Sequence, residues 1–365
     1  MGKAIAVLRG TRAARARYLS SVPVLPATPD AIRHAAAVLR AGGLVAFPTE
    51  TVYGLGADAL DPAAVGRIFA AKGRPNYNPL IVHATDVHAV QRLVTRWPAA
   101  AQRLAERFWP GPLTLVLPRA SVVPDAVTAG LGSVAVRIPA HPVALALLRE
   151  AGIPVAAPSA NRFTELSPTT ASHVASALGD RVDLILDGGA TEVGIESTVL
   201  DLTGAVPVVL RPGMISLEAL SAEIGDVLPA SALPAAPIGE APRASPGMMD
   251  RHYAPRAELT LFHASQQDQV RAWAARAAAR GERVGVLLRA PRAGTHAAAF
   301  DTGIARALLM PADPAGYARR LYAALHELDE AGCRIVYVEH PPDDDAWAGV
   351  RDRLRRGAAG EVGPA

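Results

Sequence analysis

Apolar residues come in short blocks along this chain, divided by glycines, prolines and charges, and two spacings recur among them. The first is helical. Ile32, Ala36 and Leu39 share one face of a segment that opens with Thr28-Pro29-Asp30 and closes at Gly42-Gly43. Threonine caps free N–H groups there, proline suits the first turn, and aspartate complements the helix dipole. Asp61-Pro62 repeats the signal, and Val65, Ile68 and Phe69 carry an apolar face on to Gly73. The second spacing is a brief apolar run between turn signals. It predicts strands at 44–47, 80–83, 113–117, 134–138, 153–157, 183–186, 198–202 and 207–210. Helices are predicted near 98–107, 142–151 and 169–178. Strands mixed with helices in this order predict an α/β domain around a large, mostly buried sheet.

The texture changes after 225. Pro229, Pro234, Pro237 and Pro242 interrupt a stretch without periodicity from Asp226 to Ala244, which reads as a linker. A second pattern begins at 258. Strands are predicted at 258–262, 284–288 and 335–338, and helices at 266–280 and 314–331, the last with Tyr317, Leu321, Leu325 and Leu328 on one face. This is a small βαβ-type unit. From Asp352 through Arg356 the charged tail reads as solvated. The expected organisation is a large domain over 28–215, a helix and linker over 216–257, and a small α/β domain over 258–345.

A length of 365 residues agrees with two cores. Aromatic residues are only 5%, so those cores must lean on Ala, Val, Leu and Ile. A net charge of +3 suits anionic substrates without singling out nucleic acid. Cys333 is the sole cysteine, which excludes an intramolecular disulfide and a cysteine metal cluster and fits a reducing, cytoplasmic setting. No uncharged apolar run reaches the roughly 18 residues of a membrane helix. The first 29 residues carry Lys3, Arg9, Arg12, Arg15 and Arg17 and no acid. A transit peptide shares that pattern, but the Ala/Arg bias of the whole chain favours a plain extension.

The sequence contains no Walker loop, Rossmann glycine triplet, Gly-x-Ser-x-Gly elbow or His-Glu-x-x-His helix. Candidate chemistry sits at strand ends instead. Lys72-Gly73-Arg74-Pro75 holds two cations on a turn ahead of Asn78; they are a grip for phosphate oxygens or an ordinary basic helix end. Arg137 lies inside an apolar strand, where it must pair with a local acid or with a substrate carboxylate. His83 ends its strand, as a structural residue or a ligand. Pro158-Ser159-Ala160-Asn161, Ser167-Pro168-Thr169, Ser197-Thr198 and Arg211-Pro212-Gly213 add hydroxyls, an amide and a further arginine at strand and helix ends. In PTETVYGLG (48–56), Pro48 ends a strand, Thr51 faces a small ligand, and Tyr53 walls its pocket. Gly54 and Gly56 let the chain turn back tightly, and Glu50 is a structural hydrogen-bond partner. Together these groups predict a cleft for a phosphorylated substrate.

In order along the chain, PTETVYGLG, KGRPNYNPLIVH (72–83), FWPGPLTLVL (108–117), VAVRIPAHP (134–142), PSAN (158–161), SPT (167–169), DGG (187–189), GIESTVLD (194–201), LRPG (210–213) and SPGMMDRHYAP (245–255) resemble the YrdC-type threonylcarbamoyl-AMP synthase family in its two-domain form. The resemblance covers about 28–345. It implies a large YrdC-like twisted mixed-sheet domain and a smaller Rossmann-like domain joined by a Pro-rich linker. It implies condensation of L-threonine, bicarbonate or CO2, and ATP to threonylcarbamoyl-AMP and pyrophosphate. Magnesium would accompany ATP, with no metal held by the protein. The product would pass to the machinery that makes threonylcarbamoyladenosine in tRNA, with direct tRNA binding not required and no membrane involved. By the same resemblance, threonine would meet Thr51, Tyr53, His83, Arg137, the backbone at Ala157, and Ser197. ATP would meet Lys72, Arg74, Asn78, Ser133, Ser159, Asn161, Ser167, Arg211 and Tyr253, with Lys72 and Arg74 as catalytic cations. The linker ending in His252-Tyr253-Ala254-Pro255 is expected to dock as a lid. Phe163-Thr164 stands where relatives commonly carry Ser-Gly, and Met249-Asp250 where many carry Lys-Tyr. Two rivals are an RNA-binding module, which leaves a threonine-sized pocket unexplained, and a carbamoyl-transfer factor of hydrogenase maturation, whose zinc fingers a single cysteine cannot build.

Overall fold

Helices begin where the sequence supplies caps. In the computed structural model, which describes residues 22–232, 252–290 and 306–361, Thr28 caps the helix Pro29–Arg40 and Asp61 caps Pro62–Lys72. Gly73 ends the second helix in the left-handed region (φ 62°), turning the chain at once into Arg74.

Eleven strands form the large sheet: β1 (Val24–Pro26), β2 (Val45–Pro48), β3 (Tyr53–Asp58), β4 (Ile81–His83), β5 (Leu113–Pro118), β6 (Ser133–Arg137), β7 (Val155–Ala156), β8 (Leu184–Asp187), β9 (Thr198–Asp201), β10 (Val208–Arg211) and β11 (Leu228–Pro229). Their order is β1-β8-β2-β3-β7-β4-β6-β5-β9-β10-β11, with parallel and antiparallel neighbours mixed. Side chains alternate across β2: Val45 and Phe47 pack with the helices Pro29–Arg40 and Pro142–Ala151, whereas Leu44 and Ala46 join the core under Pro62–Lys72, Ala99–Phe108 and Ala171–Leu178. Helices thus cover both faces, as near-continuous apolar strands require.

The small domain has five parallel strands: β12 (Glu258–Phe262), β13 (Val284–Arg289), β14 (Arg306–Met310), β15 (Ile335–Glu339) and β16 (Gly360–Glu361), in the order β14-β13-β15-β12-β16. The helices Pro314–Glu330 and Ala348–Gly357 cover one face and Gln267–Ala279 the other. The first of these cores also takes in Val52, Leu166 and Ile195 of the large domain, so one apolar cluster spans both domains.

Three expectations change. Residues 53–58 do not turn; they run as β3, antiparallel to β2. Gly54 and Gly56 serve close packing there: a Cβ on Gly56 would stand 2.7 Å from Phe47 and 2.9 Å from Val155. The helix Leu217–Ile224 was expected to open the connection, but Leu220 and Val227 lie in the large core and β11 extends the large sheet. The tail 352–356 is not solvated. It belongs to the helix Ala348–Gly357, in which Asp352, Arg353 and Leu354 are buried, and β16 carries the small domain to Glu361. A run of charges reads as solvated unless distant residues pair with it, and here they do. Met249-Asp250 and most of the Pro-rich linker lie outside the described residues.

Candidate active site

β4 and β6 are parallel and in register, with His83 opposite Arg137, so both side chains sit at the carboxyl ends of their strands. Thr49 and Thr51 follow the carboxyl end of β2, and Ala157 follows β7. β7 runs antiparallel to β4, so Ala157 stands level with Ile81 at that strand's amino end, and strand ends of both directions contribute. Here they border a narrow cavity of about 40 Å³. Of the residues expected from the sequence, Thr51, Arg74, His83, Arg137, Ala157, Ser159, Ser197, Arg211 and Tyr253 line it.

Arg137 is buried and reaches three partners. Its Nε donates to Gly111 O at 3.1 Å and its Nη1 to Thr51 Oγ1 at 3.0 Å, while Nη2 lies 2.7 Å from Glu50 Oε1. That last contact is an ion pair without hydrogen-bond alignment, which leaves Arg137 Nη2 and both Glu50 oxygens without a hydrogen-bond partner. His83 Nδ1 is buried without one as well. Burial first, and Arg137 second, push the His83 pKa down to about 3, so the ring is neutral at pH 7. Thr49 organises the loop, linking its Oγ1 to Thr51 Oγ1 at 2.8 Å and to Val52 O at 2.6 Å.

Arg211 donates from Nε to Ser197 O and from Nη2 to Ser197 Oγ, both at 3.1 Å, and Ser197 Oγ also meets Thr114 Oγ1 at 2.8 Å. Arg74 donates from Nη2 to Pro79 O at 2.9 Å and, at longer range, to Asn78 O. Burial lowers the Arg74 pKa to about 10, which leaves it cationic.

The other expected residues stand behind this lining or apart from it. Lys72 Nζ donates to Ser159 O and Asn161 O at 2.5 Å and to Asn161 Oδ1 at 3.3 Å. Burial and then Arg74 push its pKa down, yet three acceptors surround it, one for each proton of an ammonium. Asn161 returns the bond network through Nδ2 to Arg162 O and Glu165 O. Ser167 Oγ donates to Glu196 Oε1 at 2.5 Å. Asn78 supplies a carbonyl to Arg74. Tyr53 does not wall the cavity: its hydroxyl points the other way, to Gly189 O at 2.7 Å. Ser133 opens β6 and Arg137 closes it, about 13 Å apart at the usual rise of a strand.

Glu196 and His252 also line the cavity, although the sequence assigned neither of them a ligand. Glu196 is buried; burial alone would raise its pKa, but the Arg353 and Arg211 guanidiniums and the Ser167 hydroxyl hold it down to about 2. His252 precedes Tyr253 on the segment that closes the cavity; burial, and then Arg74, lower its pKa to about 3. The quoted motifs contained both residues, but nothing local marks a glutamate whose partner lies in another domain. Phe163 and Thr164 seat the closing segment: the Phe163 ring meets His252 edge-on at 6.0 Å, and Thr164 O accepts from Ala254 N at 3.0 Å. Thr164 takes φ 68°, a left-handed conformation that glycine adopts more readily.

A family described as "Telomere recombination" matches residues 37–213, and one described as "Threonylcarbamoyl-AMP synthase, C-terminal domain" matches 215–359. The curated threonylcarbamoyl-AMP synthase of Bacillus subtilis is 44% identical over 332 residues, covering 91% of this chain and 94% of that protein. The chain belongs to the threonylcarbamoyl-AMP synthase family. The synthase of Pyrococcus abyssi is 43% identical over 329 residues, covering 89% of this chain and 93% of its own. A crystal structure of P. abyssi Sua5 complexed with L-threonine superposes with a TM-score of 0.83 at 39% identity, over 93% of this chain and 98% of that one. Within this family frame, the lining combines groups from both matched regions, because His252 and Tyr253 fall in the C-terminal one.

Proposed function

We propose that this chain condenses L-threonine, CO2 or bicarbonate, and ATP to threonylcarbamoyl-AMP and pyrophosphate, for the threonylcarbamoyladenosine modification of tRNA. The observation that carries the reading is the cavity: three arginines and two serines line it, and beside Arg137 lie buried polar atoms of both signs with no hydrogen-bond partner. A small zwitterion bears a carboxylate and an amine that can meet such atoms. A triphosphate bears the charge that Arg74 and Arg211 complement.

Threonine's carboxylate would face Arg137, its hydroxyl Thr51 or Ser197, and its methyl Val52 and Ile81. The threonine amine adds to CO2 to give a carbamate. A carbamate oxygen then bonds to the α-phosphorus as the bond to pyrophosphate breaks. This is adenylyl transfer, and it needs no bond to the protein. The protein must hold two anions close together and neutralise the charge that builds on the leaving group. Arg74 and Arg211 do so directly. Lys72 fixes the Ser159–Asn161 loop beside them. His252 and Tyr253 exclude water, which would otherwise destroy the mixed anhydride.

Magnesium would arrive bound to the triphosphate. Glu196, the one carboxylate among the described residues that line the cavity, is already committed, and the described residues hold no cluster of three or more His, Cys, Asp or Glu side chains fit for a metal. The ion would therefore keep phosphate oxygens and water as ligands, and its contribution would be to offset phosphate charge. A cytoplasmic setting agrees with a single, buried cysteine.

The test is release of pyrophosphate from ATP in the presence of bicarbonate, with and without L-threonine. Threonine-dependent release, and a product that transfers to tRNA when the downstream enzymes are added, supports the proposal. Salt-sensitive RNA binding with no such release would replace it with an RNA-binding role.

A further inference from the structure

Glu196 is the only acidic side chain among the described residues that line the cavity. A lone carboxylate is out of place in a site for a triphosphate, since it repels the anion and draws the cations to itself. Its partner comes from the other domain. Arg353, on the helix Ala348–Gly357, has no exposed side-chain surface. It donates from Nε to Glu196 Oε2 at 2.6 Å, from Nη2 to Glu196 O at 3.1 Å, and from Nη1 to Pro212 O at 2.9 Å. Asp352 balances it further, with Oδ2 at 2.8 Å from Nη1. Tyr322, on the helix Pro314–Glu330, donates its hydroxyl to the same Glu196 oxygen at 3.1 Å.

The same guanidinium lies over the Tyr253 ring, 5.1 Å from its centroid. The backbone around that ring is held at both ends. His252 N donates to Arg356 O and Ala254 N to Thr164 O, each at 3.0 Å. Tyr253 itself sits at φ 61°, a left-handed conformation that persists only where surroundings impose it. One side chain of the small domain thus touches both the acid in the cavity wall and the aromatic residue that closes the cavity.

We propose that Arg353 is a positioning residue of the nucleotide site: its guanidinium cancels Glu196, so that this acid does not compete with a triphosphate for Arg74 and Arg211, and it seats Tyr253 over the cavity. The small domain is then an electrostatic component of the site as well as an anchor. The inference rests on the proposed function only for the identity of the anion.

A charge cycle on the full-length protein tests it, with affinity for a non-hydrolysable ATP analogue and for L-threonine measured separately by calorimetry. Arg353→Met leaves Glu196 charged and should weaken the analogue about tenfold or more, with threonine affinity nearly unchanged. Arg353→Met combined with Glu196→Gln removes both charges and should restore analogue affinity to within about threefold of the parent. Glu196→Gln alone should bind the analogue at least as well as the parent. Arg353→Lys keeps the charge and should bind it better than Arg353→Met does. The inference is overturned if Arg353→Met weakens both ligands equally, if the double variant binds the analogue no better than Arg353→Met, or if Glu196→Gln binds it less well. Should Arg353→Met fail to fold, the double variant, Glu196→Gln and Arg353→Lys still decide, since none leaves Glu196 ionised and unpaired. Binding is read without turnover, so a parent that binds the analogue yet releases no threonine-dependent pyrophosphate refutes the proposed reaction and not this inference.

Discussion

Arg137 and Glu50 are buried together, and each is the other's counter-charge. The sequence left Arg137 with two readings, a local acid or a substrate carboxylate, and the contact with Glu50 makes room for both. The pair neutralises the arginine, while its imperfect alignment leaves Nη2 able to bond a ligand. Removing one member of such a pair strands the other, at about 3–5 kcal/mol. Arg137→Met should therefore lower both the melting temperature and threonine affinity. Adding Glu50→Gln to it should recover most of the melting temperature and none of the threonine affinity. Recovery of both, by thermal unfolding and calorimetry, would reduce Arg137 to a structural role.

Helices meet across the two domains through paired rings. His173, on Ala171–Leu178, stacks on His326, on Pro314–Glu330, with centroids 3.9 Å apart and planes 22° apart. His326 Nε2 meets Ser167 O at 3.1 Å, and His173 Nδ1 meets Thr169 Oγ1 at 3.3 Å. Asp329, Glu330 and Arg256 are the charged groups acting on His326. Burial, and then His326, lower the His173 pKa from 6.5 to about 4; burial lowers that of His326 too. Both rings are neutral at pH 7 in the folded protein, and protonation would set two cations face to face. For a base with a depressed folded pKa, the stabilisation is complete above the unfolded value and is lost as pH falls through the folded one. The melting temperature should accordingly fall between pH 6.5 and about 4, and His173→Gln should make that fall shallower, the buried His83 and His252 supplying the rest. Glu196 acts lower. Its contribution is complete above 4.5 and lost toward about 2, so a His173→Gln variant should still lose stability there. A profile unchanged by His173→Gln above pH 4 would show that the ring pair does not couple the domains.

The described residues form two sheets, joined by a shared apolar cluster as well as by the Arg353–Glu196 and His173–His326 contacts. Val52, Leu166 and Ile195 enter the small domain's core, and the backbones come close enough that a Cβ on Gly349 would meet Gly213 O at 2.6 Å. The large domain's remaining cores draw on residues up to Val227. A chain ending at 232 should therefore fold and keep its threonine contacts, while Glu196 loses Arg353 and the cavity loses His252 and Tyr253. Its nucleotide affinity and its rate of threonylcarbamoyl-AMP formation should drop by about tenfold or more, with a larger share of ATP hydrolysed without product. A truncated chain that matches the full one in rate and coupling would refute a closing role for the second half.

The sequence by itself determined many of the elements, though not β3, β14 or the helix Ala348–Gly357, and the place of the chemistry. Caps at Thr28 and Asp61, the Gly73 stop and the short apolar runs act within a few residues, so they are visible in the string and they reappear in space. The motif residues at the ends of β4, β6 and β10 border one cavity because parallel and antiparallel pairing brings those ends together. Tertiary structure alone decided which side chains face that cavity and which support it. Tyr53 turns to Gly189, and Lys72 donates its hydrogen bonds to the loop beyond β7. Arg353, read as a solvated tail charge, is buried against a glutamate 157 positions earlier. Local patterns record what a residue prefers when its partners are near in the chain. A buried charge has no such local sign, because what makes its burial tolerable is a counter-charge that only the folded chain brings within reach.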